Sequence, residues 1–299
     1  MASSTPILCV FLLCLAFYSS FLPTGTATIS SLLSEKTFNK IFPHLGDASC
    51  PAKGFYSYGA FITATKRFPE FGTTGSKTIR KREIAALLAQ ISHQTAPRDL
   101  MNSSGPYTWG LWRREEEDDG ESGGYCDESF FNFEWNCDTF KSYKGRGPMM
   151  VRWNFNYGPV GQALGFDGIW YPERLLSSST LAFETALWYW MTARNSIPSC
   201  HSVMVGSYKP TPADIKANRI SGYGLTTNYI VETSSYYPPE CGRVDDGRVR
   251  NRVGYFKRIA SLLKVSTGSN LYCANQTSVQ IIPPQPEAPP PSEAPPPSM

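Results

Sequence analysis

The sequence predicts a mainly α-helical, loop-rich single domain with at most a small β-sheet. Three observations predict it. Apolar residues recur at helical spacing in three separate segments, alternating strand patterns are scarce, and long Gly-, Pro-, Ser- and Asn-containing stretches lie between the helices. In Arg80 to Ser92, the residues Ile84, Leu87, Leu88 and Ile91 fall at i, i+3, i+4 and i+7 and so share one face. Phe183, Ala186, Leu187, Trp190 and Met191 repeat the pattern, and Val249, Val253, Phe256, Ala260 and Leu263 do so again near the C-terminus. Aromatic stripes at this spacing are expected to pack a core. The stretches that read as loops are the segment after Ser92, the acidic run Glu115–Glu116–Glu117–Asp118–Asp119 with Glu121 beyond, and Tyr143 to Gly161. Loops carry chemistry more often than helices, so candidate sites are expected there.

Length and composition narrow the possible functions. A chain of 299 residues accommodates one domain of ordinary enzyme size plus appendages. The formal charge of +3 and the lack of a long basic run argue against nucleic acid as a partner. An aromatic share of 13% supplies rings for a core and for the faces of sugars. At the N-terminus, Met1 to Tyr18 has no charged side chain, and Ile7 to Phe17 is a continuous apolar run too short to span a bilayer. With the small residues Gly25 and Ala27 flanking Thr26, residues 1–27 read as a signal peptide, although the segment before the apolar run lacks Lys and Arg. Residues 28–277 then form the domain and 278–299 a proline-rich disordered tail ending in two Glu–Ala–Pro–Pro–Pro–Ser copies, expected to be an extended polyproline spacer.

Secretion places Cys50, Cys126, Cys137, Cys200, Cys241 and Cys273 in an oxidising compartment where disulfides are expected. None of them shows the paired short spacing of a zinc site. With only His44, His93 and His201 in the chain, neither a metal nor a cofactor is expected. Asn102–Ser103–Ser104 and Asn275–Gln276–Thr277 are glycosylation sequons compatible with a secreted surface. The acidic run lacks the glycine-turned frame of a calcium loop. One of its members remains a candidate for the paired carboxyl chemistry of a glycosidase, which residue types alone do not assign.

Seven anchors in order carry a resemblance: Cys50 to Tyr56, Leu88–Ala89–Gln90–Ile91–Ser92–His93, Trp109–Gly110–Leu111, Gly145–Arg146–Gly147–Pro148, Asn154–Phe155–Asn156–Tyr157–Gly158, Ala186 to Thr192 and Glu240–Cys241–Gly242. Over roughly residues 29–275 the chain resembles plant chitinases of glycoside hydrolase family 19, in particular those without a chitin-binding domain. The resemblance implies a lysozyme-like, bilobal α-helical fold with a saccharide cleft. In active members a His–Glu–Thr–Thr–Gly–Gly segment supplies the general acid, whereas this chain reads His93–Gln94–Thr95–Ala96–Pro97–Arg98. An amide at Gln94 offers hydrogen bonds but no proton at working pH. The general-base position of the inverting mechanism maps to Glu116, with Glu115 and Glu117 as near alternatives.

Other positions separate into altered and retained sets. The family's Gln and its water-orienting Ser after Gly–Arg–Gly–Pro correspond to Met150 and Arg152, and the Asn of its Asn–Gly–Gly segment falls at Val231. His93, Trp135 at the cleft rim, Asn156, Tyr157, Glu240 and Arg252 form the substrate-binding set that the resemblance implies. By the same resemblance Cys126 pairs with Cys137 and Cys241 with Cys273, while the partner of Cys50 has become Trp112. The expectation is a secreted, monomeric chitinase-like protein with impaired hydrolysis. Its cleft is expected to bind chitin, an N-acetylglucosamine oligosaccharide or another wall glycan, with no nucleic acid and no membrane partner. Two alternatives stand beside it. One is an active endochitinase in which His93 or a member of Glu115 to Glu117 substitutes as the acid. The other is a wall scaffold acting through the proline tail.

Overall fold

A computed structural model of the chain describes residues 28–100, 105–117, 123–127, 135–194, 197–231 and 239–279. The leader, the first sequon, Asp118, Asp119, Glu121 and the proline tail from residue 280 lie outside the described residues. In chain order the helices are α1 (Ile29–Leu32), α2 (Glu35–Ile41), α3 (Tyr58–Thr65), α4 (Lys77–Thr95) and α5 (Asn154–Leu164). They continue with α6 (Ser179–Met191), α7 (Cys200–Val205), α8 (Pro212–Lys216), α9 (Tyr223–Ile230) and α10 (Gly247–Leu262). Serine explains several of the starts. Ser34, Ser57, Ser76, Ser178 and Ser199 each precede a helix and accept a hydrogen bond from the third helical N–H, so one orphan donor of each first turn is satisfied. Thr211 and Asp214 close α8 reciprocally as a capping box.

Helix α4 lies at the centre. Every residue from Glu83 to Thr95 is buried, so the single apolar face read from the sequence is in fact one side of a fully enclosed rod. It packs chiefly against α10, with α7 also against it, while α3 and α5 both pack on α6. Two stretches read as loops are helical. The segment after Ser92 continues α4 through His93, Gln94 and Thr95. The helix stops because Pro97 drives Ala96 into the extended region, at φ −63° and ψ 156°. Within Tyr143 to Gly161, α5 begins at Asn154 and runs through Pro159. Burial of Phe155, Tyr157, Val160 and Leu164 holds that helix together despite the N–H that proline lacks.

Among the described residues, β pairing amounts to three isolated antiparallel bridges, two of which build one local platform. Glu115 pairs with Arg146 and Arg146 with Val151, so segments 114–116, 145–147 and 151 lie side by side. Cys126–Cys137 and Cys241–Cys273 are bonded, as the resemblance implied, and Cys50 and Cys200 are buried thiols outside these disulfides. Beside Cys50, the partly buried Trp112 packs on the core and edge-on to Trp109 at 5.1 Å. The Cys50 thiol points its hydrogen at the Trp112 carbonyl, 3.6 Å away. Packing continues at the C-terminal end through Val279, which is buried and donates its N–H to Asn228 Oδ1 at 2.9 Å.

Candidate active site

The platform exists to hold one carboxylate. Glu116 N–H donates to the Gly145 carbonyl at 2.8 Å, and Gly145 N–H returns a bond to Glu116 Oε2 at 2.9 Å. A Cβ at position 145 would stand 2.7 Å from Glu116 Oε2, so any residue other than glycine there displaces the carboxylate. Arg152 closes the opposite side as a two-pronged partner. Its Nε donates to Oε2 at 2.8 Å and its Nη2 to Oε1. Burial alone would raise the Glu116 pKa, but the charge and hydrogen bonds of Arg152, the Gly145 N–H and the charge of Arg113 hold it below the usual carboxylate range. Glu115 is half-exposed and meets Lys144 and Arg146 at 3.4 Å each, and Glu117 is exposed. Of the three carboxylates 115–117, then, Glu116 alone is buried and ion-paired to Arg152.

Gln94 occupies the last turn of α4 and is 6% exposed. Among the described residues its side-chain amide makes no hydrogen bond. Arg113, which the sequence reading passed over, links this helix end to the platform. Its Nε donates to the Ala96 carbonyl at 3.0 Å and its N–H to Thr95 at 3.1 Å, while its charge acts on Glu116. A cation at the carbonyl end of α4 also suits the helix dipole. His93 faces the other way. It is fully buried, with Nδ1 2.8 Å from Asn251 Oδ1. Because Asn251 Nδ2 donates to the Leu100 carbonyl at 3.1 Å, the amide oxygen is the acceptor and His93 Nδ1 carries the proton. Burial first, then the positive charge of Arg252, lowers its pKa to about 3. The alternative of His93 as a substitute acid near neutral pH is therefore disfavoured, since an enclosed neutral imidazole holds its one N–H in the bond to Asn251 and is not the cationic form that could give up a proton.

Glu240 and Arg252 form a second two-pronged pair in the core, with Nε to Oε2 at 2.8 Å and Nη2 to Oε1 at 2.9 Å. Arg252 Nη1 donates to Gln90 Oε1 at 2.7 Å, and the Gln90 amide donates to Thr226 and Thr227 at 3.2 and 2.9 Å. Burial raises the Glu240 pKa, and Arg252 overcomes that and brings it below the ordinary value. Asn156 and Tyr157 lie on the first turn of α5. Asn156 Nδ2 donates to the Arg152 carbonyl at 2.9 Å, steadying the backbone that aims Arg152. Tyr157 is buried, donates to the Lys144 carbonyl at 2.7 Å and accepts from Arg146 at 3.0 Å, and burial pushes its pKa up. Trp135 is partly buried with its ring against Gly158, where a Cβ would come within 2.2 Å of it.

A family model for glycoside hydrolase family 19, described as chitinase class I, matches residues 32–273. The chain belongs to glycoside hydrolase family 19. Chitinase 10 of Oryza sativa subsp. japonica is 50% identical over 248 residues, covering 83% of this chain and 82% of that one. Inactive chitinase-like protein 1 of Hevea brasiliensis is 45% identical over 253 residues, covering 85% and 77%. The crystal structure of a family 19, class IV chitinase from Zea mays superimposes with a TM-score of 0.60 at 31% identity, covering 81% of this chain and 98% of that one. The helical architecture seen here matches the lysozyme-like fold of that family.

Within this family 19 domain, the sequence-derived residues separate into two places. Glu116, Asn156 and Tyr157 gather on the platform and the start of α5, with Gln94 joined to them through Arg113. His93, Glu240 and Arg252 gather in the core between α4 and α10, each at most 4% exposed. Gln90, Asn251 and Arg113 were missed. Gln90 had a readable signal as a polar residue inside the apolar stretch of α4, and Arg113 follows directly on the Trp109–Gly110–Leu111 anchor. Trp153 stands between Arg152 and α5 at φ 72° and ψ 140°, a conformation costly for a side-chain-bearing residue. Its ring, stacked on Phe155 at 5.8 Å and edge-on to Tyr125 at 5.1 Å, helps to hold it there.

Proposed function

We propose that this chain is a secreted chitinase-like protein that holds β-1,4-linked N-acetylglucosamine chains and hydrolyses them poorly or not at all. What supports this reading is the two-pronged ion pair of Glu116 with Arg152, together with an amide, Gln94, where the family resemblance calls for the acid. Inverting hydrolysis needs a proton delivered to the departing oxygen and a second carboxylate that accepts one from water. Gln94 has none to deliver. A carboxylate whose pKa is held down by a guanidinium, with both oxygens engaged, is a weak base in the wrong orientation for water. General acid catalysis alone contributes roughly 10²–10⁴-fold, so its loss cripples turnover and leaves the sugar-binding surface intact.

The relatives are compatible with either outcome, since both chitinases and an inactive chitinase-like protein are among them. The test is direct. Purified protein is incubated with chitin hexamer beside an active family 19 chitinase, while calorimetry measures binding of the same hexamer. Binding with turnover at least about 10²-fold below the active enzyme is expected. Comparable turnover, or no binding at all, rules the reading out.

A further inference from the structure

Asn275–Gln276–Thr277 has the Asn-x-Thr pattern of a glycosylation acceptor, and the fold divides its three side chains into two groups. Gln276 turns inward, 4% exposed, with its Oε1 accepting from Asn228 Nδ2 at 3.1 Å. Asn275 and Thr277, the two residues that define the acceptor, are exposed. Among the described residues, neither the Asn275 amide nor the Thr277 hydroxyl makes a hydrogen bond. Neighbouring asparagines are already engaged. Asn218 Nδ2 donates to the Asn275 carbonyl at 3.1 Å, Asn228 Nδ2 reaches the Thr277 carbonyl at 3.1 Å, and Asn270 Nδ2 donates to the Ser221 carbonyl at 2.9 Å. A sugar on any of those three would have to fit around a bond of the fold, whereas one on Asn275 disturbs none.

The backbone of the same tripeptide is locked. Gln276 N–H donates to the Cys273 carbonyl at 3.1 Å and Thr277 N–H to the Ala217 carbonyl at 3.0 Å. The Thr277 carbonyl also accepts from Arg219 Nε at 3.3 Å. Cys273, two residues before Asn275, is bonded to Cys241, and the Ser278 hydroxyl donates to the Cys241 carbonyl at 2.8 Å. An enzyme that presents the acceptor amide to a sugar donor has to hold the tripeptide backbone in its own cleft. Here that backbone comes free only when these bonds open together. The side chains are thus available in the folded chain and the backbone is not, which sets the order of events.

We propose that Asn275 carries an N-linked oligosaccharide, attached before the Cys241–Cys273 bridge closes and accommodated afterwards without change to the fold. Asn275 Nδ2 loses one proton to base and forms a C–N bond to the anomeric carbon of the donor sugar. The bond from that carbon to a lipid diphosphate breaks, and the lipid diphosphate leaves with the electron pair. The inference rests on the secretion part of the function proposed above, because the donor is a lipid-diphosphate-linked oligosaccharide of the secretory lumen. Expression of the full chain with its leader in plant cells, followed by mass mapping of the peptide holding residue 275 before and after enzymic deglycosylation, tests it. A glycan is expected on Asn275 in the wild type and in Thr277→Ser and none in Thr277→Ala, with the unfolding midpoint of both variants unchanged. The order is tested on unmodified chain made in bacteria and given microsomal transferase with its lipid-linked donor. Reduced, unfolded chain is expected to be glycosylated at Asn275 at least about tenfold more than oxidised, folded chain. A secreted chain bare at Asn275, whether or not Asn102 is modified, refutes the site and leaves secretion standing. A chain found in the cytosol with its leader attached overturns both. Equal transfer to folded and unfolded chain refutes the order.

Discussion

Two arginine–carboxylate pairs in this molecule have the same forked chemistry and opposite surroundings. In the core, Glu240 and Arg252 have side chains 5% and 2% exposed, and Arg252 is further bonded to Gln90, itself held by Thr226 and Thr227. On the platform, Glu116 is equally enclosed at 7%, but Arg152 is 28% exposed. A pair sealed on all sides cannot be opened without stranding a charge in low dielectric. A pair with one solvent-facing partner can be opened by removing that partner, since water takes its place. The first pair is therefore part of the architecture. The second holds the carboxylate that the proposed function reads as the base, and it is removable.

The largest effect is expected from the core. Arg252→Met should cost about 3–5 kcal/mol in urea unfolding, because Glu240 loses its partner while remaining buried. Arg152→Ser should cost less than half of that. Equal costs would erase the distinction between the pairs. The next effect concerns turnover. Gln94→Glu alone should gain less than about tenfold on chitin hexamer, because Glu116 is still held by Arg152, whereas Gln94→Glu with Arg152→Ser should gain about 10²-fold or more. A strong gain from Gln94→Glu alone would show that the Arg152 pair does not restrain Glu116.

A smaller effect is carried by pH. His93 has a folded pKa of about 3 against an ordinary value of 6.5, so between these limits the unfolded chain binds a proton that the folded chain refuses. The stability associated with the neutral imidazole is complete above 6.5 and is lost as pH falls towards 3. The slope approaches about 1.4 kcal/mol per pH unit. His201 has the opposite sign. Burial lowers its pKa, but its bond to Glu83 raises it overall, so it stabilises at low pH and that contribution is lost as pH rises through its folded value. Subtracting His93→Gln from wild type between pH 6.5 and 4.5 isolates the His93 part. An unchanged slope would mean that this imidazole is not sealed beside the Arg252 charge.

Much of this was legible beforehand. Helices α4, α6 and α10 were visible because each has an unbroken 3.6-residue rhythm, and α5 was not, because Gly158–Pro159 reads locally as a stop. The exchange of the family's acid and Ser for Gln94 and Arg152 was visible in motif positions. That Arg152 reaches across 36 residues to fork Glu116 was not legible, since one-dimensional spacing contains no side-chain direction. His93 stood open to an alternative reading as an acid for a related reason. Its neighbours in sequence include polar residues, and the burial that disables it as an acid is imposed by α10, which lies far along the chain.

The smallest effect tests how firmly the platform strand itself is held. The expected partner of Cys50 is replaced by Trp112, and the backbones there are already joined by Ala52 N–H donating to the Trp112 carbonyl at 3.2 Å. Trp112 contacts Trp109, which in turn stacks on His44 with centroids 3.8 Å apart, so the ring cluster does some of the tethering that a bridge would do. Trp112→Cys exchanges one tether for the other. A bridge gains about 2–4 kcal/mol, and losing a half-buried indole forfeits a similar amount, so net stability should move by less than about 1 kcal/mol. Non-reducing mass analysis should find residues 50 and 112 bonded, and reductant should then destabilise the variant by the full bridge contribution. If both thiols stay free, the segment from Trp109 to Trp112 is not held against Cys50. Arg113 and Glu116 follow on the same stretch, so the removable ion pair would then owe its geometry to Gly145 and Arg152 alone.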